Sequence, residues 1–590
     1  MLKTRRVLTA WAVSAAFLAA LVIPSAGAAP PPKNWVKQTI DGMTLSEKVG
    51  QMFMTYGYGQ TVDDPDPAMV AANRAEYGVD NTQQLIEKYN LGGVIYFAWS
   101  NNVNNPQQIA GLSNGVQRVA TGSGSEVPAL VSTDQEGGIV ARVLEPATQF
   151  PGNMALGAAR DPQLARSAAQ ITGRELAAIG INQDLAPVAD VNVNAQNPVI
   201  GVRSFSSNPS LVSDLTAAQV HGYEENVAAT AKHFPGHGDT STDSHTGLPV
   251  ITHSRSELDQ IDLPPFRAAI AQGIDAIMTA HIVVPALDAS GRPATLSKPI
   301  MTGLLRKEMG YNGVVITDAL GMQGVREMFG DARVPVEAIK AGVDILLMPP
   351  ELDIAFNSVL DAVRSGEIGE GRINHSVQRI LTLKQRLGLI EDPYVDESQV
   401  TSVVGTPANY QAADAITDRT VTVVKNDEDR LPLEPDAYDD VFVTGWGVTT
   451  TSRLASHISE RGPATSVYET GANPSVAQRQ AAVTRSEGSD LIVVTTQRAW
   501  AASGQQQLVK DLLATGTPVV VVAVRDPYDI AYFDSAPTYV ATYGYKEVSL
   551  NSVTEVMFGE ESPSGLLPVD IPRADDPSQI LYPYGFGLTY

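Results

Sequence analysis

Between residues 48 and 348 the chain returns eight times to a short apolar run of strand length. The runs lie at residues 49–55, 92–97, 129–133, 181–186, 229–233, 276–280, 313–317 and 343–348. Most lack strict polar alternation, as strands covered on both faces do. Stretches compatible with helix separate them, such as 161–179 and 254–272. Eight strands alternating with helices predict a (β/α)8 TIM-type barrel, with a doubly wound open sheet as the competing arrangement.

Polar residues gather at the C-terminal ends of these runs. The third ends in Thr133-Asp134-Gln135-Glu136-Gly137-Gly138, and the fifth in Lys232-His233-Phe234-Pro235-Gly236-His237-Gly238-Asp239. The sixth ends at His281 and the seventh at Asp318. In a barrel these positions converge on one mouth, where the active sites of the fold sit.

The segment from Lys232 to His245 supports three readings. His233, His237 and His245, with Asp239 and Asp243, are possible metal ligands. However, Pro235-Gly236 breaks any helix, so the histidine spacing does not place them on one face. A structural reading makes His233, His237 and His281 satisfied core histidines and the glycines turn formers. The third reading is acid–base catalysis by Asp243-Ser244-His245. Residues two apart in an extended loop project to the same side, so the carboxylate can fix the histidine tautomer and raise its basicity. Such a histidine can protonate a leaving group and later deprotonate a nucleophile.

Beyond Asp392-Pro393 the barrel pattern stops. The reading divides the chain into a catalytic barrel over 35–394, a linker over 395–410 and a smaller α/β sandwich domain over 411–590 with a mostly parallel sheet. Strands are expected there at 441–444, 491–495, 518–524 and 539–543, with a helix at 505–514. Gly445-Trp446-Gly447 resembles the start of a dinucleotide fingerprint, but position 450 is Thr and no ribose-binding acid follows, so it reads as a tight turn. No motif for a metal, nucleotide or other cofactor is present.

Composition narrows the function classes. The chain has 590 residues, more than one core usually serves. Its formal net charge of −24 repels phosphate backbones, which argues against nucleic-acid binding. It has no cysteine, which removes disulfides and thiolate chemistry. Lys3, Arg5 and Arg6 precede an apolar run over 7–23 and then Ala26-Gly27-Ala28, the layout of an export signal over residues 1–28. An uncleaved membrane anchor is the alternative. No second span follows, so a secreted or cell-wall-associated location is expected.

Lys232 to Thr240, then Asp243-Ser244-His245, then Gly247-Leu248-Pro249 resembles the long signature of glycoside hydrolase family 3, in its bacterial β-N-acetylglucosaminidase branch. Asp134-Gln135-Glu136-Gly137-Gly138 with Arg142, Gly201-Val202-Arg203-Ser204-Phe205 and Ile316-Thr317-Asp318-Ala319-Leu320 are further matches, in family order. Pro563-Ser564-Gly565 and Tyr582-Pro583-Tyr584-Gly585-Phe586-Gly587-Leu588 resemble the second domain of longer members.

The resemblance implies a retaining exo-acting hydrolase for terminal β-linked GlcNAc, acting on peptidoglycan fragments or chitin-type oligosaccharides. Asp318 matches the nucleophile, His245 the acid/base and Asp243 its partner. Asp134, Arg142, Arg203, Lys232 and His233 match sugar-binding positions, and Glu136 is expected to support loop structure. Other readings on the same fold are a phosphorylase, a β-glucosidase or β-xylosidase, and a non-catalytic cell-wall binding protein. The sequence does not fix the oligomeric state.

Overall fold

A computed structural model describes residues 34–243 and 247–590. The expected export signal at 1–28 and the tripeptide Ser244-His245-Thr246 lie outside the described residues.

Eight parallel strands form one sheet: β1 (Phe53–Thr55), β2 (Gly93–Ile95), β3 (Leu130–Thr133), β4 (Gln183–Asp184), β5 (Ala228–Phe234), β6 (Ala276–Thr279), β7 (Val314–Ile316) and β8 (Leu346–Leu347). Their order is β7-β6-β5-β4-β3-β2-β1-β8. The ring closes between its ends, where the Thr317 N–H donates to the Ile345 carbonyl and the Ile345 N–H to the Val315 carbonyl, both at 3.0 Å. This is the predicted barrel, not the open sheet. Phe53, Met54, Leu130, Val131, Ala229, Ile277, Val315 and Leu346 are fully buried in one continuous core.

Local chemistry explains where elements depart from the sequence reading. Residues 49–50, expected at the start of the first strand, end the helix Leu45–Gly50, which opens on a Thr44/Glu47 capping box. The single helix expected over 254–272 is two, Arg255–Gln260 and Pro264–Ala271. Pro264-Pro265 cannot continue a helix but suits the first turn of the next. The helix Pro162–Ala178 forms as the pattern predicts, capped by Asp161.

One buried charge sits far from the barrel mouth. Lys384 is fully buried, and its ammonium donates to Gln51 Oε1 at 2.7 Å. Burial pushes this lysine down to about 7. Between pH ~7 and ~10.4 the unfolded chain therefore holds a proton that the folded chain lacks, so this group makes stability rise with pH across that window. Below it, the cost of burying the charge is complete. Lys384→Met is expected to stabilise the fold at pH 6 and to flatten the rise towards pH 9, offset in part by leaving the Gln51 oxygen unpaired. Thermal denaturation of both proteins at the two pH values checks this. Parallel pH dependences would refute it.

The second sheet comprises β9 (Thr422–Asn426), β10 (Asp440–Gly445), β11 (Ala464–Glu469), β12 (Leu491–Thr496), β13 (Val519–Ala523) and β14 (Thr538–Ala541) in the order β11-β10-β12-β13-β14-β9. All pairs are parallel except β14–β9. Of these strands, β9 and β11 escaped the sequence reading. β11 is an exposed edge with a polar sequence, and β9 ends its buried stretch at Val424, before Lys425-Asn426.

The expected linker is ordered. Val400 and Val404 enter the barrel core, and the helix Pro407–Thr417 crosses the expected boundary at 410/411. Met154, Ala155, Ala158 and Val202, from the barrel half, pack into the core of the second sheet. Polar contacts reinforce this junction: Arg160 Nη2 donates to the Leu567 carbonyl at 2.9 Å, and Arg498 Nη2 to the Pro198 carbonyl at 3.2 Å. No described helix is long and apolar enough to cross a membrane.

Candidate active site

The C-terminal ends of the barrel strands surround a cavity of about 370 Å³, within the size range of small-ligand pockets. Asp134, Arg142, Arg203, Lys232, His233 and Asp318 all line it. These six residues come from β5 and the loops after β3, β4 and β7.

Lys232, near the end of β5, is the centre of the charge network. Its Nζ lies 2.8 Å from Asp134 Oδ1 and 2.7 Å from Glu136 Oε1. Glu136 also receives a two-pronged bond from Arg203, Nε to Oε2 at 2.9 Å and Nη2 to Oε1 at 2.7 Å. Burial pushes Glu136 up, but Arg203 and Lys232 outweigh it and hold the carboxyl well below the usual range. Burial likewise works against the Lys232 charge, yet Asp134 and Glu136 raise it above the ordinary lysine value. Arg142 Nη2 approaches Asp134 Oδ2 at 3.7 Å. Glu136 thus does more than support a loop: it sets the orientation of two of the expected sugar-binding cations.

His233 is oriented by Asp190, a residue the sequence reading missed. The ring Nδ1 lies 2.7 Å from Asp190 Oδ2, and the His233 and His237 N–H groups donate to Oδ1 at 3.2 and 2.8 Å. With Nδ1–H donating to Asp190, Nε2 faces Arg203 Nη2 at 3.4 Å and accepts from it. Asp190 follows β4 by six residues, so the rule that collects polar residues beyond strand ends would have found it. Its neighbours Ala189 and Val191 gave no motif to notice.

Asp318 lies two residues beyond β7. Its backbone N–H donates to the Thr279 carbonyl at 3.2 Å, and its Oδ1 accepts from the Ala319 N–H at 2.7 Å. Burial pushes the carboxyl up, and His233, His281, the Ala319 N–H and Lys232 more than offset it, so it lies below the ordinary aspartate value. An ionised carboxylate in a cleft is a competent nucleophile. His281 is a buried support: its ring nitrogens pair with Thr295 Oγ1 at 2.8 Å and the Ala319 carbonyl at 3.0 Å.

His237 lines the cavity as well, with Nδ1 at 2.8 Å from Thr240 Oγ1. Burial, with His233 nearby, lowers it to about 4, so it is neutral near pH 7. Gly238 is required where it stands, because a Cβ there would fall on the Val191 carbonyl oxygen. Asp243 is described but does not line this cavity, and Arg498 of the second-sheet half lies within its electrostatic reach. His245 lies outside the described residues. Among the described residues no group of three or more His, Asp or Glu side chains has an arrangement that would hold a metal ion.

Comparison with known proteins agrees with this fold. The family model described as "Glycosyl hydrolase family 3 N terminal domain" matches residues 44–383, and that of the "Glycosyl hydrolase family 3 C-terminal domain" matches 421–590. A "Beta-hexosaminidase A" from Pseudoalteromonas piscicida is 42% identical over 60% of this chain, a match that spans 62% of that relative's length. A "Beta-N-acetylglucosaminidase/beta-glucosidase" from Cellulomonas fimi is 28% identical over 91% of this chain and 95% of its own. The solved structure of a glycoside hydrolase family 3 beta-N-acetylglucosaminidase from Paenibacillus sp. str. FPU-7 superposes with a TM-score of 0.82 at 36% identity, covering 90% of this chain and 99% of that one.

Proposed function

The chain belongs to glycosyl hydrolase family 3, and on that premise we propose that it is an exported, retaining exo-β-N-acetylglucosaminidase that releases terminal β-linked GlcNAc from peptidoglycan fragments or chitin-type oligosaccharides. The observation that carries this reading is the Asp318 carboxylate, held ionised at a cavity whose other polar residues are the cations and carboxylates that hydroxyl groups bind. The acetamido preference is supported by the Pseudoalteromonas and Cellulomonas relatives and the Paenibacillus structure. Export rests on the composition of residues 1–28.

In the first step Asp318 attacks the anomeric carbon. A carbon–oxygen bond forms to the carboxylate, and the bond to the leaving oxygen breaks as His245 gives that oxygen a proton. In the second step water attacks the same carbon, His245 takes its proton and the Asp318 carboxylate departs. Lys232, Asp134, Arg203 and His233 bond ring hydroxyls, and contacts that tighten in the transition state lower the barrier. Asp243 orients His245.

Hydrolysis of aryl β-GlcNAc beside aryl β-glucoside, each with and without phosphate, tests the reading. GlcNAc release indifferent to phosphate is expected. Release of a sugar 1-phosphate would make the enzyme a phosphorylase. The Cellulomonas relative's double name gives β-glucosidase activity weight as a second reading, and faster cleavage of the glucoside would favour it.

The acid role carries its own prediction. His245→Ala is expected to lose ~10²–10⁴-fold in kcat on substrates with poor leaving groups and far less on activated aryl glycosides. Equal losses on both would sink general-acid catalysis by His245.

A further inference from the structure

Three side chains tie down the chain that carries Asp243. β5 ends at Phe234 and the helix Arg255–Gln260 begins after Ser254, with Asp243 on the stretch between them. Asp239, on the outgoing side, sets its Oδ2 3.1 Å from Nε2 of His253, on the returning side. The other ring nitrogen, Nδ1, lies 2.7 Å from Asp262 Oδ2. Asp262 stands between the helices Arg255–Gln260 and Pro264–Ala271 and is 1% exposed. Gly236 makes room for it, since a Cβ there would fall 2.8 Å from both its Cβ and its Oδ1. None of the three residues lines the cavity that holds Asp318.

The arrangement fastens the two arms of the stretch at their base. A histidine donates to two carboxylates at once only as the imidazolium. The hydrogen bond to Asp262 outweighs burial and, with the Asp239 and Glu257 charges, raises His253 above its ordinary value. Backbone bonds hold the arms as well. Asn194 Nδ2 donates to the Thr240 carbonyl at 3.2 Å, and the Ile251 N–H to the Val283 carbonyl at 2.9 Å. The Gly247 N–H reaches the Asp243 carbonyl itself at 3.1 Å. Tying the ends removes conformational freedom that would otherwise be lost in bringing Asp243 into place.

We infer that Asp239, His253 and Asp262 form a positioning clasp for acid–base catalysis, holding Asp243 where it orients His245. The inference rests on the β-GlcNAc reading above and adds to it residues that act through Asp243. The clasp touches neither sugar nor reacting atoms, so it governs proton delivery and not attack by Asp318. A catalytic group misplaced by ~1 Å can lose ~10²-fold in rate, and here the loss falls on the step that needs the proton.

Asp239→Ala tests this by breaking only the tie to the outgoing arm. The buried His253–Asp262 pair stays in place, and the Asp239 side chain is 33% exposed, so the fold should hold, which thermal denaturation verifies. On methyl β-GlcNAc, whose leaving group needs a proton, kcat/KM is expected to fall ~10-fold or more. On 2,4-dinitrophenyl β-GlcNAc, whose leaving group departs unprotonated, it should stay near wild type. Asp239→Asn keeps an oxygen for the His253 Nε2–H and should retain most of the methyl glycoside activity. In a His245→Ala background, Asp239→Ala should add no further loss, because the positioned group is gone. Equal loss on both glycosides, no loss on either, or additive losses in the double variant would overturn the clasp and leave the β-GlcNAc reading standing. GlcNAc release from neither glycoside by the wild-type enzyme would overturn both.

Discussion

Asp318→Ala is expected to reduce kcat on aryl β-GlcNAc by ~10⁴-fold or more while the protein stays folded. The carboxylate sits beside His233, His281 and Lys232 and accepts the Ala319 N–H at 2.7 Å, whereas the other cavity carboxylates, Asp134 and Glu136, are paired with Lys232. Its loss also leaves a hole on the attacking side of the sugar. Added azide should enter that hole, attack the anomeric carbon of an activated glycoside and restore part of the rate. The product would be the α-glycosyl azide, inverted relative to the substrate, because only one displacement has occurred. Analysis of that product by NMR separates a lost nucleophile from a collapsed site. Residual hydrolysis within about 100-fold of wild type would remove Asp318 from the nucleophile role.

Glu136→Gln carries the second largest effect, this time on stability as well as binding. In the native protein the Glu136 carboxylate lies between Lys232 at 2.7 Å and the Arg203 fork. Neutralising it leaves two buried cations facing one another, with Asp134 as the remaining carboxylate on Lys232. Breaking a buried pair in this way costs about 3–5 kcal/mol. Arg203 and Lys232 also lose their fixed orientation, so KM should rise. The pH dependence has a definite sign. The folded carboxyl is held below the ordinary glutamate value of about 4.3, so its contribution is complete above that pH and is lost as pH falls below it. The variant should lack this part of the acid limb. Denaturation at pH 7 and at pH ~3, well inside that window, measures both effects, and a variant as stable as wild type at pH 7 would show that the ion pairs contribute nothing net.

Much of this was legible in the sequence, for identifiable reasons. The barrel could be read because a parallel strand buried on both faces must be apolar throughout, and eight such runs admit few arrangements. Asp134, Lys232, His233 and Asp318 could be nominated because strand ends are local features, and Arg142 and Arg203 because their short motifs resemble those of the family. The structure brings all six to one cavity. Elements whose burial is partial were not legible. β11 pairs through its backbone while none of its side chains is fully buried, so no apolar pattern marks it. The packed helix Pro407–Thr417 was read as partly linker because its contacts are with distant residues such as Phe150 and Leu156.

The same distinction runs through the site. Sequence by itself determined the eight barrel strands and which polar residues stand just beyond them, since these depend on neighbours a few positions away. It could not say that Glu136 would take Arg203, 67 residues away, or that Asp190 would hold His233, 43 residues away. Nor could it say that the exposed Trp99 would line the same cavity as Asp318. Those partnerships follow from closing the barrel, which brings the ends of non-adjacent strands to one mouth, where burial obliges each charge to find an opposite one.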